Sequence, residues 1–203
     1  MSSKKLPKVL SREQVEELLK VPDVKRTVSG LRNRAILQVL YRAGLRVSEV
    51  CNLTPADVDL KQGVLYIQEG KGGKDRYVPI DSETIAWLKQ WQEKRPAGDY
   101  FFSATRTGTA GNKLDVRYVR DMLYRISHRA GVYLQNGKNK KPVNPHAFRH
   151  TYATELLEEG FGIHEVQQLL GHSDIKTTSI YLSVRPVKLA EKIRGRGEAY
   201  CSP

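Results

Sequence analysis

The segment GVLYIQEGKGGKDRYVPI, from Gly63 to Ile80, limits the possible folds of this chain more than any other stretch. Two short runs of β-forming residues, Val64 to Gln68 and Arg76 to Ile80, flank a turn rich in glycine and lysine. This pattern predicts a β-hairpin with a basic tip. Because helical patterns precede and follow the hairpin, the chain is predicted to be α+β, mainly helical with a small antiparallel β-sheet.

The helices are predicted from apolar residues that recur with helical spacing and from signals at the helix ends. Ser11 with Gln14 forms a capping-box pattern, while Pro145 suits a first helical turn and Gly160 a C-terminal stop. The predicted helical stretches are SREQVEELLK, LRNRAILQVLYRAG, LRVSEVCNL, SETIAWLKQWQEKR, VRYVRDMLYRISHRAG, HAFRHTYATELLEEG and IHEVQQLLG. The stretch DYFF is predicted to be a short strand, and LQNGKNKKPVNP a basic loop.

The charge balance favours a polyanionic partner. The chain carries 34 Lys and Arg against 22 Asp and Glu, a net charge of +12, so nucleic acid is the first candidate and a solvated basic surface the alternative. No apolar run approaches the roughly 20 residues of a membrane-spanning helix, and the N-terminal residues lack the apolar core of a secretory signal. We therefore expect an intracellular protein with no membrane association. Cys51 and Cys201 lie far apart and imply neither a disulfide framework nor a zinc site.

The stretch HAFRH places His146, Arg149 and His150 on one helical face, at i, i+3 and i+4. Two histidines at this spacing could bind zinc, but Ala147 stands where the H-E-x-x-H pattern has Glu, and no third ligand is evident. A further alternative is a structural role, in which the histidine and arginine side chains hydrogen-bond to carbonyls in a packed helix. This alternative applies above all to His150. Arginine's planar fork matches two phosphate oxygens and stays charged at any working pH.

A second candidate phosphate clamp is Arg46 in AGLRVSEV, at the predicted opening of a helix, where anions are favoured. Glu49, one turn later, is interpreted as an ion-pair partner that orients this arginine. The stretch EGKGGKDR lacks the spacing of a phosphate-binding P-loop. Its basic tip fits contact with a DNA backbone, with Lys71 or Lys74 able to deliver a proton to a leaving oxygen.

Four stretches of the chain resemble the motifs of a known protein family and occur in that family's order: AGLRVSEV, GKGGKDRYVPI, HAFRHTYAT and LLGHSDIKTTSIY. On these stretches the chain resembles the catalytic domain of the tyrosine recombinases, the phage-integrase and Xer-like family. Tyr181 follows His172 by nine residues, as the family's pattern has it. The catalytic set that the resemblance implies is Arg46, Lys71, His146, Arg149, His172 and Tyr181, with Glu49 and His150 in supporting positions.

The resemblance also implies how these residues act on double-stranded DNA. Tyr181 looks like the nucleophile, Arg46 and Arg149 hold the scissile phosphate, and Lys71 protonates the departing 5′ oxygen. His146 serves in proton transfer or a hydrogen bond to the phosphate, and His172 contacts the phosphate. The product is a 3′-phosphotyrosyl intermediate, whose bond a 5′ hydroxyl can reverse without ATP or any other cofactor. The sequence lacks the clustered carboxylates of a two-metal nuclease, which is consistent with chemistry that needs no metal.

Family resemblance also sets the expected organisation. Residues 1–185 are expected to form the catalytic domain and residues 186–203 a C-terminal tail that could dock on a neighbouring protomer, whereas the family's usual N-terminal DNA-binding domain is expected to be absent. The chain is expected to be a monomer alone and a tetramer on DNA, in the cytoplasm with the nucleoid. Two alternative functions stay open: DNA relaxation of the type IB topoisomerase kind, and a DNA-binding accessory protein that does not cleave.

Overall fold

The computed structural model describes residues 8–68, 75–136 and 139–171. Its helices, in chain order, are α1 (Arg12–Lys20), α2 (Val28–Arg42), α3 (Val47–Asn52), α4 (Ser82–Lys94), α5 (Val116–Ala130), α6 (Pro145–Glu159) and α7 (Ile163–Leu170). Its strands are β1 (Val58–Asp59), β2 (Val64–Ile67), β3 (Arg76–Pro79), β4 (Tyr133–Asn136) and β5 (Asn139–Pro142). The described residues therefore have the predicted α+β fold, in which helices dominate.

The predicted hairpin is confirmed as part of a three-stranded antiparallel sheet with the order β1-β2-β3. Leu65 pairs with Val78, and both side chains are fully buried. Tyr77, which alternates with Val78 along β3, is 70% exposed, as expected for a strand with one face on the core. This sheet positions the start of β3 beside the helical part of the chain.

Two local predictions were wrong. The stretch DYFF is not a strand, since Phe101 and Phe102 are adjacent and both fully buried, whereas strand residues alternate between two faces. The indole N–H of Trp91 donates to the Phe101 carbonyl at 2.9 Å, which holds this bend against α4. The predicted basic loop after α5 contains a two-stranded antiparallel hairpin, β4 with β5, in which Gln135 pairs with Lys140.

Helix α2 lies at the centre of the core. Its side chains from Ala35 to Leu40 are fully buried, and α2 packs against both α4 and α6. A second, smaller cluster joins α6 to α7, where Leu157 packs with Val166 and Leu170. Burying a leucine or valine in this way contributes about 2 kcal/mol per side chain. This cluster fixes the short helix α7 on α6, next to the turn that links α2 to α3.

The helix ends follow the signals in the sequence. Ser11 caps α1 and shares a reciprocal pair of hydrogen bonds with Gln14, and Asn144 caps α6 immediately before Pro145. Gly160 ends α6 and Gly171 ends α7, both with a positive φ that glycine adopts without steric cost. Among the described residues, no helix has the length and apolar character needed to cross a membrane.

Candidate active site

The turn between α2 and α3 presents the first candidate arginine. Gly44 has a φ of +61°, and a Cβ built on it would lie 2.3 Å from Cδ1 of Tyr152, so glycine is required both by the backbone and by the close approach of α6. The turn places Arg46 at the N-cap position of α3. The helical prediction that Arg46 opens a helix is therefore confirmed.

Glu49 fixes Arg46 at two points. Its Oε2 accepts from the Arg46 backbone N–H, and its Oε1 accepts from Arg46 Nη1, each at 2.7 Å. The Glu49 side chain is buried, whereas that of Arg46 is 37% exposed. Burial alone would raise the pKa of Glu49, but hydrogen bonds and charge from Arg76 and Arg46 outweigh it and lower the pKa below its usual value. Glu49 is therefore an ionised carboxylate beneath a partly exposed guanidinium.

Arg149 on α6 is the second candidate phosphate clamp, and it is buried. Its Nη1 donates to the Gly44 carbonyl at 2.7 Å, and its Nη2 donates to the Leu170 carbonyl. These bonds link α6 to the turn that carries Arg46 and to the end of α7. Two sequence-distant arginines, Arg46 and Arg149, are thus brought to one place in the fold.

The C-terminal end of α7 is where three arginines meet. Arg76 donates to the carbonyl of Leu169, Arg149 to that of Leu170, and Arg46 to that of Gly171, so three consecutive carbonyls each accept from a different arginine. The last carbonyls of a helix lack intrahelical donors and carry the negative end of the helix dipole. We call Arg46, Arg76 and Arg149 the arginine cluster. Gly171 immediately precedes His172 in the sequence.

The two histidines of HAFRH lie in different surroundings. His146 is exposed and lines a cavity of about 440 Å³ with Arg120 of α5 and Lys141 of β5. His150 is half-buried, and burial, followed by the nearby charges of His146 and Arg149, lowers its pKa. The helical face that was predicted to carry these residues therefore runs from the protein surface at His146 to the interior at Arg149.

The remaining predicted residues, Lys71, His172 and Tyr181, lie outside the described residues, as does Lys74. No role was predicted for Arg76 from the sequence, although it belongs to the stretch GKGGKDRYVPI. One signal was available: Arg76 and Val78 are two residues apart, so they share the core-facing side of a predicted strand, where a charged residue needs a partner. Nothing in the local sequence indicated that this partner is Glu49.

Comparisons with known proteins identify the family of the chain. A model of the family described as "Phage integrase family" matches residues 8–187, which include every site residue named above. The chain belongs to the phage integrase family. This family member is 40% identical over 199 residues to the tyrosine recombinase XerA of Thermococcus kodakarensis, an alignment that covers 94% of the chain and 66% of the relative.

A second relative of this phage integrase family member is the tyrosine recombinase XerD of Pseudomonas putida, 41% identical over 93% of the chain and 61% of the relative. The chain thus spans somewhat less than two thirds of either curated relative. Among solved structures, XerA recombinase has a TM-score of 0.77 at 31% identity, covering 96% of this chain and 67% of that one. XerH bound to its difH substrate in a pre-cleavage complex has a TM-score of 0.70 at 28% identity, covering 89% and 52%.

Proposed function

We propose that this chain is the catalytic part of a site-specific DNA recombinase that cleaves and rejoins strands through a 3′-phosphotyrosyl intermediate. The observation that carries the proposal is the meeting of Arg46 and Arg149 at the end of α7, where they bond to the adjacent carbonyls of Gly171 and Leu170. Two guanidinium groups at one point suit a phosphodiester, whose nonbridging oxygens gain charge in the five-coordinate transition state. Membership of the phage integrase family supports the same chemistry.

In this mechanism Tyr181 attacks the scissile phosphorus and the 5′ oxygen leaves. A phenol with a reference pKa of about 10 needs a positive environment or a base to attack at neutral pH. The arginines and histidines supply that environment, His146 takes up the phenol proton, and Lys71 gives its own proton to the departing 5′ oxygen. The phosphotyrosyl bond keeps the phosphodiester at a comparable energy, so a 5′ hydroxyl from another strand can reverse the step without ATP.

The surface beside the arginine cluster suits a duplex. His146 shares its cavity with Arg120 and Lys141, and α5 carries further arginines at positions 117, 125 and 129. Phosphate contacts from such a surface set affinity and orientation but do not read sequence. XerH, a relative of similar fold, is described in complex with its difH substrate. We therefore propose double-stranded DNA as the partner, and with it a location in the cytoplasm at the nucleoid.

We also propose how the chain is divided by role and how it assembles on DNA. Residues 1–185 carry out the strand chemistry, in keeping with the family match to residues 8–187, and residues 186–203 dock on a neighbouring protomer. The chain is a monomer alone and a tetramer on DNA. Sedimentation with and without duplex tests this assembly, and a dimer that persists at every protein concentration without DNA would contradict it.

Covalent trapping tests the chemistry. The chain is incubated with a library of nicked duplexes from its source DNA, denatured in SDS and digested, and the nucleotide-bearing peptide is located by mass spectrometry. We expect an adduct on Tyr181 that disappears in Tyr181→Phe and persists in Tyr77→Phe, a control at an exposed tyrosine of β3.

Two other observations would replace the proposal. In a separate assay, relaxation of supercoiled plasmids that lack any trapped site would indicate the type IB topoisomerase alternative. Binding of duplex DNA with no adduct on any tyrosine would indicate a DNA-binding protein that does not cleave.

A further inference from the structure

Arg76, the first residue of β3, joins two parts of the candidate active site. Its Nη2 donates to Glu49 Oε2 at 3.0 Å, and its Nε donates to the Leu169 carbonyl at 2.9 Å. Its side chain is only 7% exposed, and that of Glu49 is 8% exposed. Arg76 is therefore a buried bridge between α3 and the last turn of α7.

A buried ion pair at this position does not follow from the needs of the fold alone. Taking a guanidinium and a carboxylate out of water costs several kcal/mol per ion, and apolar residues of similar volume often pack at such sites at no loss of stability. The neighbouring core-facing residue of β3 is Val78, which is fully buried. The geometry of Arg76, with two acceptors on two different elements, suits precise placement of those elements.

The acceptors of Arg76 on α3 and α7 lead to residues of the proposed mechanism. Glu49 Oε2 accepts from Arg76 and from the backbone N–H of Arg46, while Glu49 Oε1 accepts from the Arg46 guanidinium. Arg76 therefore fixes the carboxylate that aims Arg46. At its other acceptor, the Leu169 carbonyl, Arg76 holds the chain three residues before His172.

We propose that Arg76 is a positioning residue for DNA strand cleavage, acting through Glu49 on Arg46 and through the Leu169 carbonyl on the end of α7. Arg76 does not touch the DNA in this proposal. Its loss displaces the groups that hold the scissile phosphate, and a displacement of about 1 Å can lower a rate about 100-fold. The inference rests on the proposed recombinase function, because it concerns the same site.

The test separates rate from affinity on a duplex carrying the site selected by covalent trapping. We measure the first-order rate of Tyr181 adduct formation at saturating protein, and separately the Kd for that duplex. Arg76→Gln is expected to lower the rate about 10- to 100-fold with Kd within about 3-fold of wild type. Arg76→Lys, which keeps the charge but reaches one acceptor at a time, is expected to fall between Arg76→Gln and wild type.

Arg32→Lys is the matched control for a buried arginine with a structural role only. Arg32 is 2% exposed and donates to the Ser103 carbonyl at 3.0 Å, away from the arginine cluster. Its replacement is expected to lower the melting temperature and leave the cleavage rate of the folded protein unchanged. All rates are taken well below each variant's melting temperature, and Arg76→Lys carries the test if Arg76→Gln does not fold.

A substrate with sulfur in place of the bridging 5′ oxygen shows which part of the site Arg76 serves. A thiolate leaves without a proton, so this substrate is expected to restore cleavage to Lys71→Ala but not to the Arg76 variants. Restoration in the Arg76 variants would overturn the inference, since Arg76 would then act on proton delivery. Rates within 3-fold of wild type, a rate loss matched by an equal loss of DNA affinity, or an equal rate loss in Arg32→Lys would overturn it as well. Absence of an adduct in the wild-type chain would instead refute the proposed function itself, and the inference with it.

Discussion

Glu49 holds Arg46 by both ends, with one carboxylate oxygen on its backbone amide and the other on its guanidinium, each at 2.7 Å. Because Glu49 is buried and also pairs with Arg76, Glu49→Gln leaves a buried positive charge without its counterion. We expect this change to lower the free energy of unfolding by about 3 kcal/mol, measured by urea denaturation at pH 7. Glu17→Gln, which breaks the exposed pair with Lys20, is the control and should change stability by less than about 1 kcal/mol.

The pH dependence of stability provides a second test of the ion pairs that Glu49 makes. Its pKa is lowered in the folded chain, so its contribution is present above its usual value of 4.5 and is lost as the pH falls from there through the folded pKa. The stability of wild type should therefore fall more steeply below pH 4.5 than that of Glu49→Gln. Equal slopes for the two proteins would show that the ion pair contributes nothing to acid stability.

Gly44→Ala is expected to be destabilising for two reasons. Alanine disfavours the φ of +61°, at a cost of about 1–2 kcal/mol, and its Cβ would meet the ring of Tyr152. Gly131→Ala is the matched control, since Gly131 has a φ of +67° and a Cβ there meets nothing within 4 Å. Thermal unfolding should show a larger loss for Gly44→Ala than for Gly131→Ala. If the two losses are equal, the close approach of Tyr152 adds nothing to the loss of stability.

Thr151 ties the N-terminal segment to α6, because its hydroxyl accepts from the Leu10 backbone N–H at 2.8 Å and donates to the Ala147 carbonyl at 2.8 Å. Thr151→Val keeps the side-chain shape and leaves the Leu10 N–H without its acceptor, at an expected cost of about 1–3 kcal/mol. Thr154 is also buried, and its hydroxyl has no hydrogen-bond partner within the described ranges. Thr154→Val should therefore be neutral or stabilising in the same urea titration.

His150 should make the protein less stable in mild acid. Its pKa is lowered in the folded chain by burial and by the facing charges of His146 and Arg149. The unfolded chain therefore binds its proton more readily, and stability decreases as the pH falls from about 6.5 to the folded pKa. His150→Gln should reduce this loss between pH 7.5 and 5, measured by melting temperature, while His164→Gln replaces an exposed imidazole and serves as the control. An unchanged pH slope in His150→Gln would contradict the burial of this group.

The sequence predicted those features whose physical causes are local. The i, i+3 spacing of Arg46 and Glu49 beside a helix start was enough to predict their ion pair, because neighbours on one helical turn must lie close together. The caps Ser11 and Gly160 were found for the same reason. The dipeptide Asn136-Gly137 also carried a local hairpin signal, but the polar residues around it lack the β-branched and aromatic character of typical strands, and the hairpin was missed.

Features that depend on tertiary contacts were not predictable in this way. Arg76 lies 27 residues from Glu49 and 93 from Leu169 in sequence, so its role depends on how β3, α3 and α7 pack together. The burial of Phe101 and Phe102 likewise depends on Trp91 and on the Leu53 carbonyl, which accepts from the Phe101 N–H. Local sequence shows that such side chains need partners but does not show which ones.

The meeting of three arginines at the end of α7 makes this helix part of a larger cooperative unit. Eight residues are too few for a helix to persist alone in water, where about 12 are needed even for a marginal one. Its last turn is held by guanidinium groups that come from the N-cap of α3, from β3 and from α6. We therefore expect α7 to form together with the arginine cluster, and slow amide hydrogen exchange at Leu170 and Gly171 would report that the phosphate-holding groups are assembled before DNA arrives.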